Sequence, residues 1–262
     1  MLQGVSYRYA GASSKSLRDI NLTLADGEIV GVVGASESGK STLSLVASGL
    51  APRSIGGTLD GSVTIDGEDV RQRAMHQMAA RVGICFQNPH TQLSQVADTV
   101  FEEVAFGALN LGLDRLEVAR RTSAALDALQ IAELAERDPR RLSGGQMQLV
   151  AVAGLLAMNP DHLVLDEPTA QLDPEGTKLV GDALARLAKA GTALLICEHD
   201  TDLLTRLCTR LIALESGTIV LEGATDEVLA DPRLEELGVE PPSSVRLTRV
   251  LDAAGLAVEL PA

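Results

Sequence analysis

Apolar positions along the chain fall into short blocks of two kinds, with a long helical stretch between them. Residues 4–9 and 17–24 read as short strands divided by a polar turn at 10–16, with alternation visible at Ile20, Leu22 and Leu24. Residues 28–33 read as a short buried strand, and residues 42–50 as an apolar helix. The strand-and-turn style returns over 61–70, where Asp66-Gly67 predicts a hairpin turn, and a second continuous apolar strand follows at 82–86. From 92 to 141 the pattern becomes helical. Thr99-Val100-Phe101-Glu102 and Asp114-Arg115-Leu116-Glu117 both have capping-box spacing, the second opening a helix with apolar positions Leu116, Ala119, Leu126 and Leu129. Pro139 ends this stretch. Beyond it lie an apolar helix at 147–158, strands at 163–167 and 193–197 around a helix at 177–189, and a hairpin over 211–222 that turns at Glu215-Ser216-Gly217. The tail joins the linker-like Glu240-Pro241-Pro242 to a helical pattern at Val245, Leu247, Val250 and Leu251, and reads as a small docking element.

Chemistry enters where the 28–33 strand meets the helix after it. Between them stands Gly34-Ala35-Ser36-Glu37-Ser38-Gly39-Lys40-Ser41, a complete phosphate-binding loop in the strand–loop–helix setting it requires. Gly34 and Gly39 let backbone N–H groups close on phosphate oxygens, and the helix dipole adds to the grip. Lys40 is predicted to reach the β- and γ-phosphates of ATP, and the Ser41 hydroxyl to hold Mg²⁺. Gly34, Ala35, Ser36, Glu37, Ser38, Gly39, Lys40, Ser41 and Thr42 make up the predicted nucleotide-binding set. The 82–86 strand delivers Gln87 at its carboxyl end, where open α/β sheets bind ligands, so Gln87 can add an amide oxygen to the metal shell or to an attacking water. The 163–167 strand, apolar on both faces like a central parallel strand, ends in Asp166, a metal ligand by position, and Glu167, which can polarise a water. The 193–197 strand leads to His199, placed to sense the γ-phosphate. His76, His90 and His162 lack such a setting and read as structural. Tyr9 packs on its strand or offers a face for a purine base. Ser143, Gly144, Gly145 and Gln146 expose amide donors at a buried helix, a second phosphate-recognition surface. One nucleotide cannot easily use both surfaces of a single subunit, and a head-to-tail dimer resolves this.

Composition narrows the picture further. With 262 residues and 45% hydrophobic content the chain can build one large α/β domain, from aliphatic rather than aromatic residues, since it has two Tyr, three Phe and no Trp. A net charge of −14 argues against broad nucleic-acid binding. Cys85, Cys197 and Cys208 fit neither a zinc site nor a disulfide framework and read as reduced buried thiols of a cytosolic protein. The longest apolar run, residues 149–158, is half of the roughly 20 residues a membrane-spanning helix requires, so any membrane role is expected to need a partner.

With these motifs in order, the chain resembles the ATP-binding cassette ATPases. The loop at 34–41, Gln87, the signature at 142–146, Asp166 with Glu167, the loop of Asp173, and His199 carry that resemblance. It implies an α/β fold: a P-loop NTPase (RecA-like) core with an N-terminal antiparallel β subdomain and an inserted α-helical subdomain. Residues 1–91 would hold the first half of the core with the β subdomain, 92–141 the helical insertion, 142–230 the signature helix and second half of the core, and 231–262 a C-terminal extension. It places Tyr9 under the base and assigns Asp173 to the nucleotide-binding set. More narrowly, Phe86-Gln87-Asn88-Pro89, Val104-Ala105-Phe106-Gly107, residues 156–160 and the tail around Leu237-Gly238 and Pro241-Pro242 to Gly255 look like the ATPase component of energy-coupling factor importers of vitamins and metal ions. That implies a second ATPase subunit, identical or paralogous, a transmembrane coupling protein and a substrate-binding membrane subunit, with this chain peripheral on the cytoplasmic face of the cell membrane. A conventional importer ATPase shares every catalytic motif, and a soluble clamp of DNA repair or translation is a further alternative. The chain departs from the usual pattern at Ala35, Ser36 and Glu37, where Glu37 brings a carboxylate near phosphates, and at Glu103 and Leu149.

Overall fold

The computed structural model describes residues 1–253, so the last part of the expected C-terminal extension, including Gly255, lies outside the described residues. The N-terminal strands β1 (Leu2–Tyr9), β2 (Leu17–Leu22), β4 (Gly57–Ile65) and β5 (Glu68–Asp69) form an antiparallel sheet in the order β2-β1-β4-β5. Its hairpin between β4 and β5 turns at Asp66-Gly67, both residues with positive φ (51° and 78°), as a tight two-residue turn requires. A second, six-stranded sheet has the order β10-β9-β3-β8-β7-β6. It comprises β3 (Ile29–Val33), β6 (Val82–Cys85), β7 (His162–Asp166), β8 (Ala193–Cys197), β9 (Arg210–Glu215) and β10 (Thr218–Ala224). All neighbours are parallel except the β9–β10 hairpin.

Continuous apolar runs make the inner strands bury both faces. Val30, Val32, Val164, Leu195 and Cys197 face one side, where α1 (Lys40–Ala47) and the antiparallel sheet close a core with Val5, Tyr7, Ile20, Leu43 and Val46. Ile29, Val33, Leu163, Leu165, Leu194 and Ile196 face the other, against α5 (Gly144–Met158) and α6 (Pro174–Lys189). The short α2 (Met75–Ala79) precedes β6; α7 (Thr201–Leu207), α8 (Thr225–Ala230), α9 (Arg233–Glu236) and α10 (Ser243–Ala253) complete the described chain. Among the described residues no helix is long and apolar enough to cross a membrane. Cys85, Cys197 and Cys208 are buried and unpaired, and burial pushes the Cys85 and Cys208 thiols up to about 12.

The helical insertion contains α3 (Val100–Asn110) and α4 (Arg115–Ala128), both packed on α5. Thr99 and Glu102 form the expected reciprocal capping box. The second box forms only half. Asp114 accepts from the N–H groups of Leu116 and Glu117, but the Glu117 carboxylate turns to Arg120 and Arg121 instead of reaching back. Two guanidiniums outcompete one backbone amide for the same carboxylate. The apolar face of α4 also differs from expectation: Leu116 is 84% exposed, and Val118, Ala125, Leu126 and Leu129 are buried.

Candidate active site

Four parallel strands end along one edge of the sheet, and each delivers predicted residues there. β3 runs into the glycine loop, β6 towards Gln87, β7 into Asp166 and Glu167, and β8 towards His199. The loop is held in a shape that glycine permits. Gly34 and Gly39 have φ of 150° and 112°, and a Cβ on Gly34 would sit 2.4 Å from the Leu214 carbonyl oxygen. Glu37 also has positive φ, 66°, although it carries a side chain, which is exposed. Lys40, 5% exposed, donates from Nζ to the Gly34 and Ala35 carbonyls at 2.7 and 3.0 Å. The β9–β10 turn props the loop from behind: the Gly217 N–H donates to the Ser38 carbonyl at 2.8 Å, and Arg18 donates to both Ser216 and Gly217 carbonyls.

The three residues predicted as catalytic meet at one carboxylate. Gln87 Nε2 donates to Glu167 Oε2 at 2.6 Å, and His199 Nε2 lies 3.0 Å from Glu167 Oε1. Glu167 itself has φ 50°, and its N–H donates to the Cys197 carbonyl at 2.8 Å. They open onto a cleft of about 600 Å³ whose walls include Lys15, Arg18, Glu37, Lys40, Ser41, Thr42, Gln87, Glu167 and His199.

Asp166 is a buried carboxylate with an oxygen left unsatisfied. It is 7% exposed, and its buried Oδ1 has no hydrogen-bond partner. Burial raises its pKa above the ordinary carboxylate value against the opposing Ser41 hydrogen bond, and the neighbouring Glu167 charge pushes the same way. Among the described residues no group of three or more His, Cys, Asp or Glu is placed to hold a metal unaided. The donor set here is a hydroxyl, a carboxylate and an amide, hard oxygen ligands that suit Mg²⁺ when nucleotide oxygens complete the shell.

The remaining predicted residues lie elsewhere. Tyr9 stands half-buried at the end of β1, edge-on to Tyr7 at 5.0 Å, its hydroxyl 3.1 Å from Thr42 Oγ1. Ser143 caps α5, its hydroxyl accepting from the Gln146 N–H while Gln146 Oε1 accepts from the Ser143 N–H. Asp173 caps α6 by accepting from the Gly176 N–H at 2.8 Å. Neither Tyr9, the Ser143–Gln146 turn nor Asp173 lines the cleft. Sequence reasoning missed Lys15, Arg18 and Glu198. The first two sit in or beside a stretch that reads only as a polar turn and strand; their signal was two cations within four residues of a strongly acidic chain.

A glycine loop around a lysine, two carboxylates at the end of a neighbouring strand, and a glutamine and a histidine on the second of them define an ATP-hydrolysing P-loop enzyme. Residues 17–170 match the ABC transporter family. A protein of Pyrococcus abyssi, described provisionally as an ABC transporter ATP-binding protein, is 40% identical over 97% of this chain and 91% of its own length. The energy-coupling factor transporter ATP-binding protein EcfA of Methanosarcina acetivorans is 40% identical over 98% of this chain and 91% of its own length. Among solved structures, CbiO1 of Clostridium perfringens, part of the ABC transporter complex CbiONQ, aligns with a TM-score of 0.77 at 29% identity, covering 97% of each chain. The chain belongs to the ABC transporter family of ATPases, and its core, antiparallel β subdomain and helical insertion are those of that fold.

Proposed function

We propose that this chain is the ATP-hydrolysing motor subunit of a membrane importer of the energy-coupling factor type, powering uptake of a vitamin or transition-metal ion. The observation that carries this reading is that similarity to an energy-coupling factor ATPase extends over nearly the whole chain, beyond the shared catalytic motifs. In this reading the loop 34–42 and Lys40 bind the phosphates of ATP and Tyr9 supports the base. Ser41 and Asp166, with Gln87, would hold Mg²⁺, which when bound neutralises charge on the β- and γ-phosphates. Glu167 orients the attacking water and draws its proton, Gln87 and His199 fix the direction of that carboxylate, and His199 faces the γ-phosphate.

The site is completed by a second ATPase subunit. Ser143, Gly144 and Gly145 do not line the chain's own cleft, which supports their meeting the phosphates held by a partner's loop instead. Asp173 would lie at the same seam. Closure on ATP and reopening after hydrolysis would then pass through the helical insertion to a transmembrane coupling protein and a substrate-binding membrane subunit. The chain works as a peripheral subunit on the cytoplasmic face of the cell membrane, with no nucleic-acid partner.

The test is to tag the chain in its native cell, solubilise membranes in mild detergent and identify what co-purifies. A multi-helix coupling protein with a small membrane-embedded binding subunit is the expected result. Recovery of soluble partners alone would overturn the importer reading.

A further inference from the structure

One carboxylate beside the cleft has no part in the reading above. Glu198 is 3% exposed, and its oxygens take three donors: Oε1 accepts from the Thr169 N–H at 3.0 Å and the Thr169 hydroxyl at 2.5 Å, and Oε2 accepts from the His199 N–H at 2.9 Å. A buried carboxylate is costly unless it is held this way, and burial raises its pKa even so. The sheet does not require it. The β7–β8 ladder ends at Asp166 opposite Cys197, with the Glu167 N–H on the Cys197 carbonyl just beyond.

Directly past that last bond, Glu167 takes the left-handed conformation that side chains avoid. Such a residue stays there only when its surroundings over-determine it. Two buried groups do so on the chain's forward side. Gln148 Nε2 donates to the Pro168 carbonyl at 2.8 Å, and Glu198 holds Thr169 by both its backbone and its hydroxyl. Glu198 also holds the backbone of His199, whose imidazole meets Glu167. One carboxylate thus holds both Thr169, two residues past Glu167, and the backbone of His199.

We propose that Glu198 is a positioning residue for ATP hydrolysis: through Thr169 and the His199 backbone it fixes the turn at Glu167 and aims that carboxylate into the cleft. It does not line the cleft itself and acts only through these neighbours. The inference rests on Glu167 as the residue that activates water.

The experiment measures steady-state ATP turnover and nucleotide affinity of the full chain for Glu198→Gln, Thr169→Val, Thr169→Ser and, as a reference, Glu167→Gln. Gln at 198 keeps the volume but presents an NH₂ donor to groups that need an acceptor. Val at 169 keeps the shape and removes the hydroxyl. Glu198→Gln and Thr169→Val are each expected to lower kcat about tenfold to hundredfold, with KM and Kd for ATP within about twofold of wild type. Thr169→Ser, which retains the hydroxyl, stays near wild type. The double variant Glu198→Gln with Thr169→Val is no worse than the worse single, since both break one connection. If Glu198→Gln fails to fold, the contrast between Val and Ser at 169 decides alone. Wild-type kcat in Thr169→Val, or equal losses in Val and Ser, overturns the proposal, as does a kcat loss matched by a loss of ATP affinity. Wild-type turnover in Glu167→Gln would mean that the water-activating assignment itself has failed. An inactive Glu167→Gln beside fully active 198 and 169 variants would mean that only the positioning role has.

Discussion

Two turns in this molecule put glycines and serines at the start of a buried helix, and they are built differently. The loop before α1 is contorted: Gly34, Glu37 and Gly39 all have positive φ, and Lys40 and a neighbouring hairpin hold it in place. Cationic Lys15, Arg18 and Lys40 surround the space it opens on. The turn before α5 is relaxed. Ser143 has the extended φ and ψ of an ordinary cap (−69° and 163°), and its hydroxyl and the Gln146 side chain satisfy each other's backbone N–H groups. Residues of the first turn wall a cleft, and those of the second do not line it. Similar composition at two helix starts thus folds into a strained, braced loop at one and an ordinary self-satisfied cap at the other.

The largest effect should come from the first turn. Lys40→Ala removes the only cation buried inside the loop and is expected to weaken ATP binding by about a hundredfold or more, read by titration with a fluorescent nucleotide. Turnover falls with it. In the second turn, Ser143→Arg should leave ATP affinity within about twofold while lowering turnover by about a hundredfold. Loss of the cap should cost only about 1 kcal/mol of stability, measurable by urea denaturation. Equal losses of ATP affinity from the two substitutions would erase the distinction.

A smaller effect tests the strain in the first turn. Glu37→Gly removes a side chain from a left-handed position, worth about 1 kcal/mol, and a carboxylate from beside the phosphates. The variant should be more stable and should bind ATP several-fold, on the order of fivefold, more tightly. Weaker binding would mean that Glu37 serves the nucleotide rather than hindering it.

The smallest effect concerns the far end of the strand that feeds the loop. Glu28, just before β3, accepts from Arg210 at 2.8 Å. Burial alone would raise its pKa, but the Arg210 hydrogen bond, the Ala25 N–H and the Arg210 charge together hold it below the usual carboxylate range. A depressed carboxylate stabilises the fold above its unfolded pKa, and that contribution is lost as pH falls through the folded value. Arg210→Met should therefore lower stability by about 1 kcal/mol at pH 7, with the difference from wild type shrinking in acid. A difference that grew as pH fell would contradict the assignment.

How much of this the chain announces in advance depends on the range of the interaction. The 34–41 loop, Gln87, Glu167 and His199 were legible because each follows a continuous apolar run, and parallel strands gather such positions at one edge. Thr99 with Glu102 was legible because a capping box is local. The box at Asp114 misled, since Glu117 had two arginines within four residues to choose instead. Leu116 misled because one exposed leucine in the first turn of a helix is indistinguishable from the start of an apolar face. Glu198 was invisible for a different reason. Its partner Thr169 is 29 residues away, and no period or spacing links them until the sheet brings the ends of β7 and β8 together.

In the proposed dimer the loop of one chain works with the Ser143 turn of another. Mixing Lys40→Ala and Ser143→Arg chains tests it most directly. Each variant alone should be inactive, yet half of a random mixture of dimers would carry one site with both parts intact, so about a quarter of the wild-type ATP turnover should return. A mixture as inactive as its components, under conditions where the wild-type chain self-associates and turns over ATP, would contradict the claim.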